Sequence, residues 1–160
     1  MDFDEADRLN EAIRAIGMRH RELAIAALAP LGIHPGHKLL LLELEQAGPR
    51  TQAELAAASG YEPPSITMSV RQLEAAGFVI RRPSLTDGRA TIVELSQQGR
   101  ELLPKLKAAW IEVAEKTVAG LSASSLEEVS KVLTDLAANL TRSAVSLADV
   151  PRSTDRSGHP

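Results

Sequence analysis

Apolar residues along this chain recur at helical spacing near both ends. Between residues 4 and 29 a stripe with steps of three and four residues is formed by Leu9, Ile13, Ile16, His20, Leu23 and Ala27. From residue 124 onward a second stripe is formed by Leu126, Val129, Val132, Leu133, Leu136 and Leu140. Ser124 and Glu127 have capping-box spacing, which predicts where that helix begins. Stripes of this kind need a partner surface, so we expect both terminal helices to pack against other helices.

The middle of the chain predicts two short helices. Thr51 and Glu54 form another capping-box spacing, and Gly60 marks the end of the helix that they open. A second helix follows a pair of prolines, and its buried face is predicted to hold Ile66, Val70 and Leu73.

A β-hairpin is predicted directly after these two helices. Its strands span residues 78–82 and 91–95, and the Asp87-Gly88 dipeptide between them suits a turn that needs positive φ. Before the pair, Pro35 is placed to open a helix that has His34 at its N-cap and continues to Ala47. After the hairpin, a serine cap predicts a long helix to about residue 119.

Helix, turn, helix and hairpin in this order predict a mainly α fold with a small β-hairpin wing. The expected architecture is a winged helix-turn-helix core flanked by N- and C-terminal dimerisation helices. We divide the chain into an N-terminal dimerisation helix (4–33), a DNA-binding lobe (34–95), C-terminal dimerisation helices (96–147) and a disordered tail (148–160). In a homodimer, two recognition helices would face one side of the duplex about one turn apart.

Composition narrows the setting. The chain has 160 residues, of which 44% are hydrophobic, and its apolar runs are shorter than a membrane span requires. An N-terminus rich in aspartate and glutamate is unlike a secretory signal, and the absence of cysteine excludes disulfides and thiolate metal sites. We therefore expect a cytoplasmic protein with no membrane association and no cofactor.

Charge gives only local support for binding DNA. The net charge is −3, and residues 51–95 hold four arginines against five carboxylates. Phosphate neutralisation normally supplies much of a DNA binder's affinity. However, three of these arginines lie in or beside the hairpin, where a projecting wing could reach the backbone or the minor groove.

The chain resembles the MarR (multiple antibiotic resistance regulator) family over about residues 5–145. GIHPGHKLLLLELEQAGPRTQAELA is similar to the family's second and third helices, and SITMSVRQLEAAGFVIRRP to its recognition helix and first wing strand. TDGRATIVELSQQGREL is similar to its aspartate-x-arginine wing tip, second strand and fifth helix. The resemblance implies a dimeric, ligand-responsive regulator, usually a repressor, that binds pseudo-palindromic double-stranded DNA.

The resemblance also implies which residues meet DNA. Arg89 matches the wing arginine that enters the minor groove, and Asp87 matches the acid that orients it. Helical rotation places six side chains of the recognition helix opposite its buried face. The DNA-binding residues predicted are Thr51, Pro64, Ser65, Thr67, Met68, Arg71, Gln72, Arg82, Asp87 and Arg89.

The recognition helix departs from the family's common pattern. The family more often has arginine where Met68 stands and polar residues where Pro63 and Pro64 stand. Methionine and proline can contact a thymine methyl group but cannot form bidentate bonds to guanine. Polar base reading would therefore rest on four residues, Ser65, Thr67, Arg71 and Gln72.

In the resembled family, small effectors usually sit between the dimerisation helices and the DNA-binding lobe. Here an aromatic or amphipathic effector would be lined by Ile16, His20, His37, Leu41 and Trp110. The alternative is that these residues are ordinary core.

The sequence also bears on three other functions. His34 and His37, with His20, suggest a metal or pH site, but a structural metal would need more ligands, so we predict no metal. The chain has no P-loop, nucleophile elbow or HExxH helix, so we do not expect an enzyme. A winged helix that binds another protein, with weak or no DNA binding, remains the main alternative because the DNA-facing stretch is nearly neutral.

Overall fold

The structure is a computed structural model that describes residues 1–84 and 90–148, with side chains described as far as residue 142 in the last helix. Its helices are α1 (Phe3–Leu28), α2 (Pro35–Ala47), α3 (Gln52–Ser59), α4 (Pro63–Ala75), α5 (Gln97–Thr117) and α6 (Ala123–Ala148). Its strands are β1 (Arg50–Thr51), β2 (Val79–Pro83) and β3 (Thr91–Leu95). The predicted architecture, mainly helical with a small wing, is confirmed. The Asp87-Gly88 turn and the tail beyond residue 148 lie outside the described residues.

Capping residues explain where several helices start. Thr51 caps α3 as predicted: its hydroxyl accepts from the Glu54 amide, and the Glu54 carboxylate accepts from the Thr51 amide at 2.7 Å. His34 caps α2 through Nδ1, which accepts from the Gly36 amide at 3.1 Å. A further capping box at the start of α1, formed by Asp2 and Glu5, was not predicted.

The core lies where α2, α3, α4 and α5 meet the sheet. It is formed by Leu28, Ile33, Leu40, Leu41, Leu44, Leu55, Ile66, Val70, Leu73, Phe78, Val79, Val93, Leu95, Leu102, Leu103 and Leu106. Helix α2 contributes only one face, because Leu40 and Leu41 are buried while Leu39 is 38% exposed. Because these short elements share one core, the position of α4 within the lobe is fixed.

Three antiparallel strands form the sheet, in the order β1-β3-β2. The hairpin pairs Val79 with Leu95 at one end and Pro83 with Thr91 at the other. Its first strand therefore begins and ends one residue later than predicted. The third strand, β1, was missed, because two residues are too short to show an alternating pattern.

The chain divides into two compact units, Met1–Thr117 and the segment from Val118 onward. In the second unit, α6 begins at Ala123, and the Ser122 hydroxyl accepts from the Ser125 amide at 3.2 Å. The prediction that Ser124 caps this helix is therefore wrong: several serines in a row offered competing caps, and Ser124 lies inside the helix. Among the described side chains of α6, none is buried, and Leu133 is 48% exposed.

Helix α1 also leaves apolar residues uncovered. Its C-terminal part buries Ala24 and Leu28, whereas the stripe residues Leu9, Ile13 and Ile16 are exposed. Within the described chain, no single helix is long and apolar enough to cross a membrane. Phe3–Leu31 and Pro35–Ala47 satisfy the length and hydrophobicity criteria only as a pair, bent by 65° at the break between them.

Candidate nucleic-acid interface

Helix α4 is anchored in the core by one face and exposes the other. Ile66, Val70 and Leu73 are buried, as their spacing predicts. The six side chains predicted to face a DNA groove lie on the other side, and all are exposed except Thr67, which is half-buried: Pro64, Ser65, Thr67, Met68, Arg71 and Gln72. Directly before and after α4 come α3, with a tight turn at Gly60 (φ +68°), and the hairpin. Helix α4 contacts both α3 and the hairpin strand β2.

Two of the four polar residues on this face are bonded within the protein. The Thr67 hydroxyl lies 3.0 Å from Gln52 Oε1 and 3.1 Å from the carbonyl oxygen of the first residue of α4. Gln72 Oε1 lies 3.0 Å from His37 Nε2. Arg71 makes no hydrogen bond or ion pair within residues 1–84 and 90–142. Of the two long side chains, arginine 71 is thus the freer to reach a base or phosphate.

The remainder of the exposed face is apolar. Met68 is 56% exposed, and Pro64 lies one helical turn before it. Tyr61, in the turn that precedes α4, is also exposed. Such side chains suit contact with thymine methyl groups in the major groove, but they also suit contact with another protein.

His37 is the one buried polar residue of the lobe's core among the described side chains. Its ring stacks on His34 with 3.5 Å between the ring centroids, and its Nε2 faces Gln72. Burial, with a smaller contribution from His34, lowers the pKa of His37 below its ordinary value, while the hydrogen bond to Gln72 opposes this shift. His37 is therefore neutral at pH 7. No sequence signal predicts the contact between His37 and Gln72, because they lie 35 positions apart in the chain.

The two wing arginines that the structure describes are paired with carboxylates. Arg81 Nε donates to Glu74 at 2.7 Å, and this hydrogen bond lowers the pKa of the Glu74 carboxyl. Arg82, predicted to contact DNA, lies on β2 with Nε 3.3 Å from Glu94 Oε1 of β3. These side chains remain partly exposed, so a phosphate would compete with carboxylates that are already in place.

Thr51 serves α3 rather than an open surface. The Thr51 hydroxyl accepts from the Glu54 amide at 3.1 Å and donates to Glu54 Oε2 at 2.9 Å. The Thr51 backbone N–H, which donates to the Glu54 carboxylate at 2.7 Å, and to a smaller extent the Thr51 hydroxyl lower the pKa of Glu54. The predicted contact between Thr51 and DNA would therefore have to share the capping hydroxyl.

The wing tip carries the two remaining DNA-binding predictions, Asp87 and Arg89. Both lie outside the described residues. The hairpin is paired as far as residues 84 and 90, where the Ser84 amide donates to the Ala90 carbonyl oxygen at 2.9 Å.

The five residues predicted to line an effector site do not share one cavity among those described. Leu41 and His37 lie in the core. Ile16 and His20 line a groove of about 390 Å³ between α1 and the end of α5. Trp110 is half-buried, with the His20 ring edge-on at 5.9 Å and Lys38 Nζ 3.8 Å from its ring centroid.

A second cleft, of about 290 Å³, lies beside the start of α4. It is lined by Arg21, Ile25, His34, Pro35, Gly36, Tyr61, Ser65 and Ser69. No sequence signal predicts this cleft, because its walls come from α1, α2, α4 and the turn before α4. In the described part of the chain, no group of three or more histidine, aspartate or glutamate side chains could hold a metal ion.

A helix-turn-helix whose second helix has one face buried in the core, followed by a two-stranded hairpin, defines the winged helix-turn-helix class of proteins. The family model described as the MarR family matches residues 31–90, which span α2, the helix-turn-helix and most of the wing. Over this central lobe the chain matches the MarR family model, and its fold is the one seen in solved MarR-family structures.

Solved structures extend the likeness to both terminal regions. A probable transcriptional regulator from Pseudomonas aeruginosa is 27% identical, with a TM-score of 0.74, covering 82% of this chain and 98% of the other. A mutant of MarR from E. coli, complexed with operator DNA, is 21% identical, with a TM-score of 0.73 over 85% of this chain and 99% of the other. BpsR from Bordetella bronchiseptica, whose DNA binding is regulated by 6-hydroxynicotinic acid, is 15% identical, with a TM-score of 0.71 over 81% and 98%.

Proposed function

We propose that this protein is a sequence-specific DNA-binding transcriptional regulator that acts as a homodimeric repressor on a pseudo-palindromic operator and responds to a small ligand. The DNA-binding lobe is residues 34–95, and the protein works in the cytoplasm. Helix α4 enters the major groove, and the wing reaches the neighbouring backbone or minor groove.

One observation carries this proposal. Helix α4 buries Ile66, Val70 and Leu73 and turns its other face outward, next to a paired hairpin. A helix held in this way keeps its orientation when its outer side chains approach a base pair. Among the structural relatives, MarR from E. coli binds operator DNA through the same overall fold, which supports this reading.

A homodimer is supported by the apolar surface that the terminal helices leave uncovered. Leu9, Ile13 and Ile16 of α1 are exposed, as are Leu133 and Leu140 of α6. Exposed apolar stripes on long helices are a common mark of an interface. A second copy of the chain offers the same stripes, and two lobes on one dimer would match a two-fold operator.

Ligand response is supported by the two clefts beside the helices that position the lobe. The groove with Ile16 and His20 and the cleft with Arg21 and Tyr61 each have room for a small aromatic molecule. The regulation of BpsR by 6-hydroxynicotinic acid supports an aromatic ligand. Binding would alter the spacing between the two recognition helices and so weaken operator binding.

The proposal is tested by binding to the DNA that flanks the protein's own gene, with unrelated duplex as competitor. Wild type should bind this DNA selectively, and Arg89→Ala should weaken binding on the order of tenfold. Arg19→Ala is the matched control, because Arg19 is exposed on α1, away from the lobe, and should leave binding unchanged. Equal losses in both variants would remove the wing assignment.

A protein-interaction module is the second candidate. The exposed apolar set Tyr61, Pro64 and Met68, together with wing arginines already paired to carboxylates, favours it. Under this reading the wild-type dimer would show no preference among duplexes in the same competition experiment. Met68→Ala would then leave the unselective DNA binding unaltered and weaken binding to the partner protein.

A further inference from the structure

The hydrogen bond between His37 and Gln72 links the core of the lobe to its outer face. His37 lies in α2 and is 5% exposed, while Gln72 lies on the exposed side of α4. Their side chains meet at 3.0 Å, Nε2 to Oε1. Neither residue is needed by the other for helix formation, since each helix has its own apolar face and its own hydrogen-bonded backbone. The bond instead fixes which way the Gln72 amide points.

The direction of the bond follows from the atoms involved. A glutamine oxygen can only accept, so the histidine must carry its proton on Nε2. The ring is neutral, because burial and the neighbouring His34 lower the pKa of His37. Nδ1 is then a bare acceptor, and within the described residues it has no hydrogen-bond partner. A proton on Nδ1 would leave both that N–H unpaired in the core and Nε2 facing an acceptor, so the Nε2–H form is strongly favoured.

The fixed amide has a chemical consequence for base reading. A free glutamine offers one donor and one acceptor together and pairs bidentately with adenine N6 and N7. Here the oxygen is turned toward His37, so the group left facing outward is the NH₂, which only donates. In the major groove guanine shows two acceptors, O6 and N7, whereas adenine shows one acceptor, N7, beside an amino donor, thymine one acceptor, O4, and cytosine an amino donor.

We propose that His37 is a positioning residue for DNA recognition: it holds the Gln72 amide with its donors outward, so that Gln72 selects guanine over adenine at one base pair of each half-site. This inference rests on the proposed function, since it requires α4 to lie in the major groove. His37 itself touches no DNA. Its role is to remove the acceptor that would otherwise let Gln72 read adenine.

The test is selection of binding sites from a randomised duplex library by five full-length proteins, the wild type and four variants. Wild type should enrich guanine at one position of each half-site. Gln72→Ala should lose preference there and nowhere else. His37→Leu frees the amide, so the preference should move toward adenine, on the order of a tenfold change in the guanine-to-adenine ratio. His37→Gln supplies a new donor to Gln72 Oε1 and should restore guanine.

Arg71→Ala is the control for a general loss of fit, because it alters another position on the same face. A His37→Leu profile identical to wild type, or one altered at every position, would overturn the inference while leaving the proposed function standing. No enrichment by wild type would overturn both. A readout that does not depend on the variants folding is the ¹⁵N spectrum of the His37 ring in the wild-type protein. It should show the proton on Nε2, and a proton on Nδ1 would also overturn the inference.

Discussion

The central lobe and the terminal helices bury their apolar residues in different ways. In the lobe, short elements from α2 to β3 share one core, and residues such as Leu41, Leu55 and Ile66 are completely buried within a single chain. In α6 and the first half of α1, the apolar stripes are as regular, yet none of their described members is buried. A stripe alone thus does not say whether its partner lies in the same chain. The core of the lobe is completed by residues of the same chain, including Leu28 of α1 and Leu106 of α5, whereas in the proposed dimer the terminal stripes would pack against a second copy.

The largest expected effect comes from removing core volume in the lobe. Leu41→Ala should lower the free energy of unfolding by about 2–5 kcal/mol, because Leu41 is fully buried and a cavity would remain. Leu39→Ala, on the same helix but 38% exposed, is the matched control and should cost much less. Urea unfolding of both variants measures the difference. Equal losses would mean that α2 is covered on both sides.

The next effect concerns the terminal helices. Leu133→Glu places a charge on the exposed stripe of α6, and in the proposed dimer that charge would be buried without a partner. Association should weaken on the order of a hundredfold or more, as measured by analytical ultracentrifugation. Ala138→Glu adds the same charge on the polar side of α6 and should leave association unchanged. A dimer that survives Leu133→Glu would contradict an interface on this stripe.

A smaller effect separates capping from DNA contact at Thr51. Thr51→Ala removes the side chain that caps α3 and should lower stability by about 1 kcal/mol. Thr51→Ser keeps the hydroxyl and should retain most of that stability. Thermal unfolding compares the three proteins, and a Thr51→Ala variant as stable as wild type would show that the cap contributes nothing.

The smallest effect is the pH dependence of the lobe. The pKa of His37 is lower in the folded chain than its ordinary value of 6.5, so the unfolded chain binds more protons as pH falls. Stability contributed by neutral His37 should therefore be complete above about pH 6.5 and decline as pH falls below that value. The lowered pKa values of Glu54 and Glu74 act only at lower pH, below their ordinary 4.5.

Unfolding midpoints measured between pH 7 and 5 test this prediction. The decline should be present in wild type and reduced in His37→Leu, which cannot take up the proton. His20→Ala is a useful control, since the His20 ring packs edge-on against Trp110 outside the core. An identical decline in wild type and His37→Leu would place the responsible proton elsewhere.

Local signals predicted most of the fold. The Thr51-Glu54 capping box and the spacing of Ile66, Val70 and Leu73 act within one turn of a helix, and the structure confirms both. What failed depended on competition or on distance. Ser122 competed with Ser124 for the same helix start, and β1 exists only because β3 pairs with it.

The site was harder to predict than the fold. Helical rotation correctly placed the outer face of α4, but it could not show that Gln72 is bonded to a histidine 35 residues earlier. Nor could it show that Arg21 and Tyr61 border one cleft, since packing between helices decides that. A sequence pattern records which side of a helix faces outward, and tertiary contacts decide what the outward side chains are free to do.

The ion pairs around the wing have a consequence for how such a lobe would meet a duplex. Arg50, Arg81 and Arg82 each lie beside a carboxylate of the same chain, with N–O distances from 2.5 to 3.7 Å. Those carboxylates already partly neutralise the arginines. Each paired arginine would therefore release fewer cations from DNA than the roughly 0.9 cation expected for an unpaired arginine. Affinity would then change little with ionic strength, and long-range attraction would be weak. Shape complementarity in the groove, more than long-range electrostatic attraction, would determine where the lobe binds.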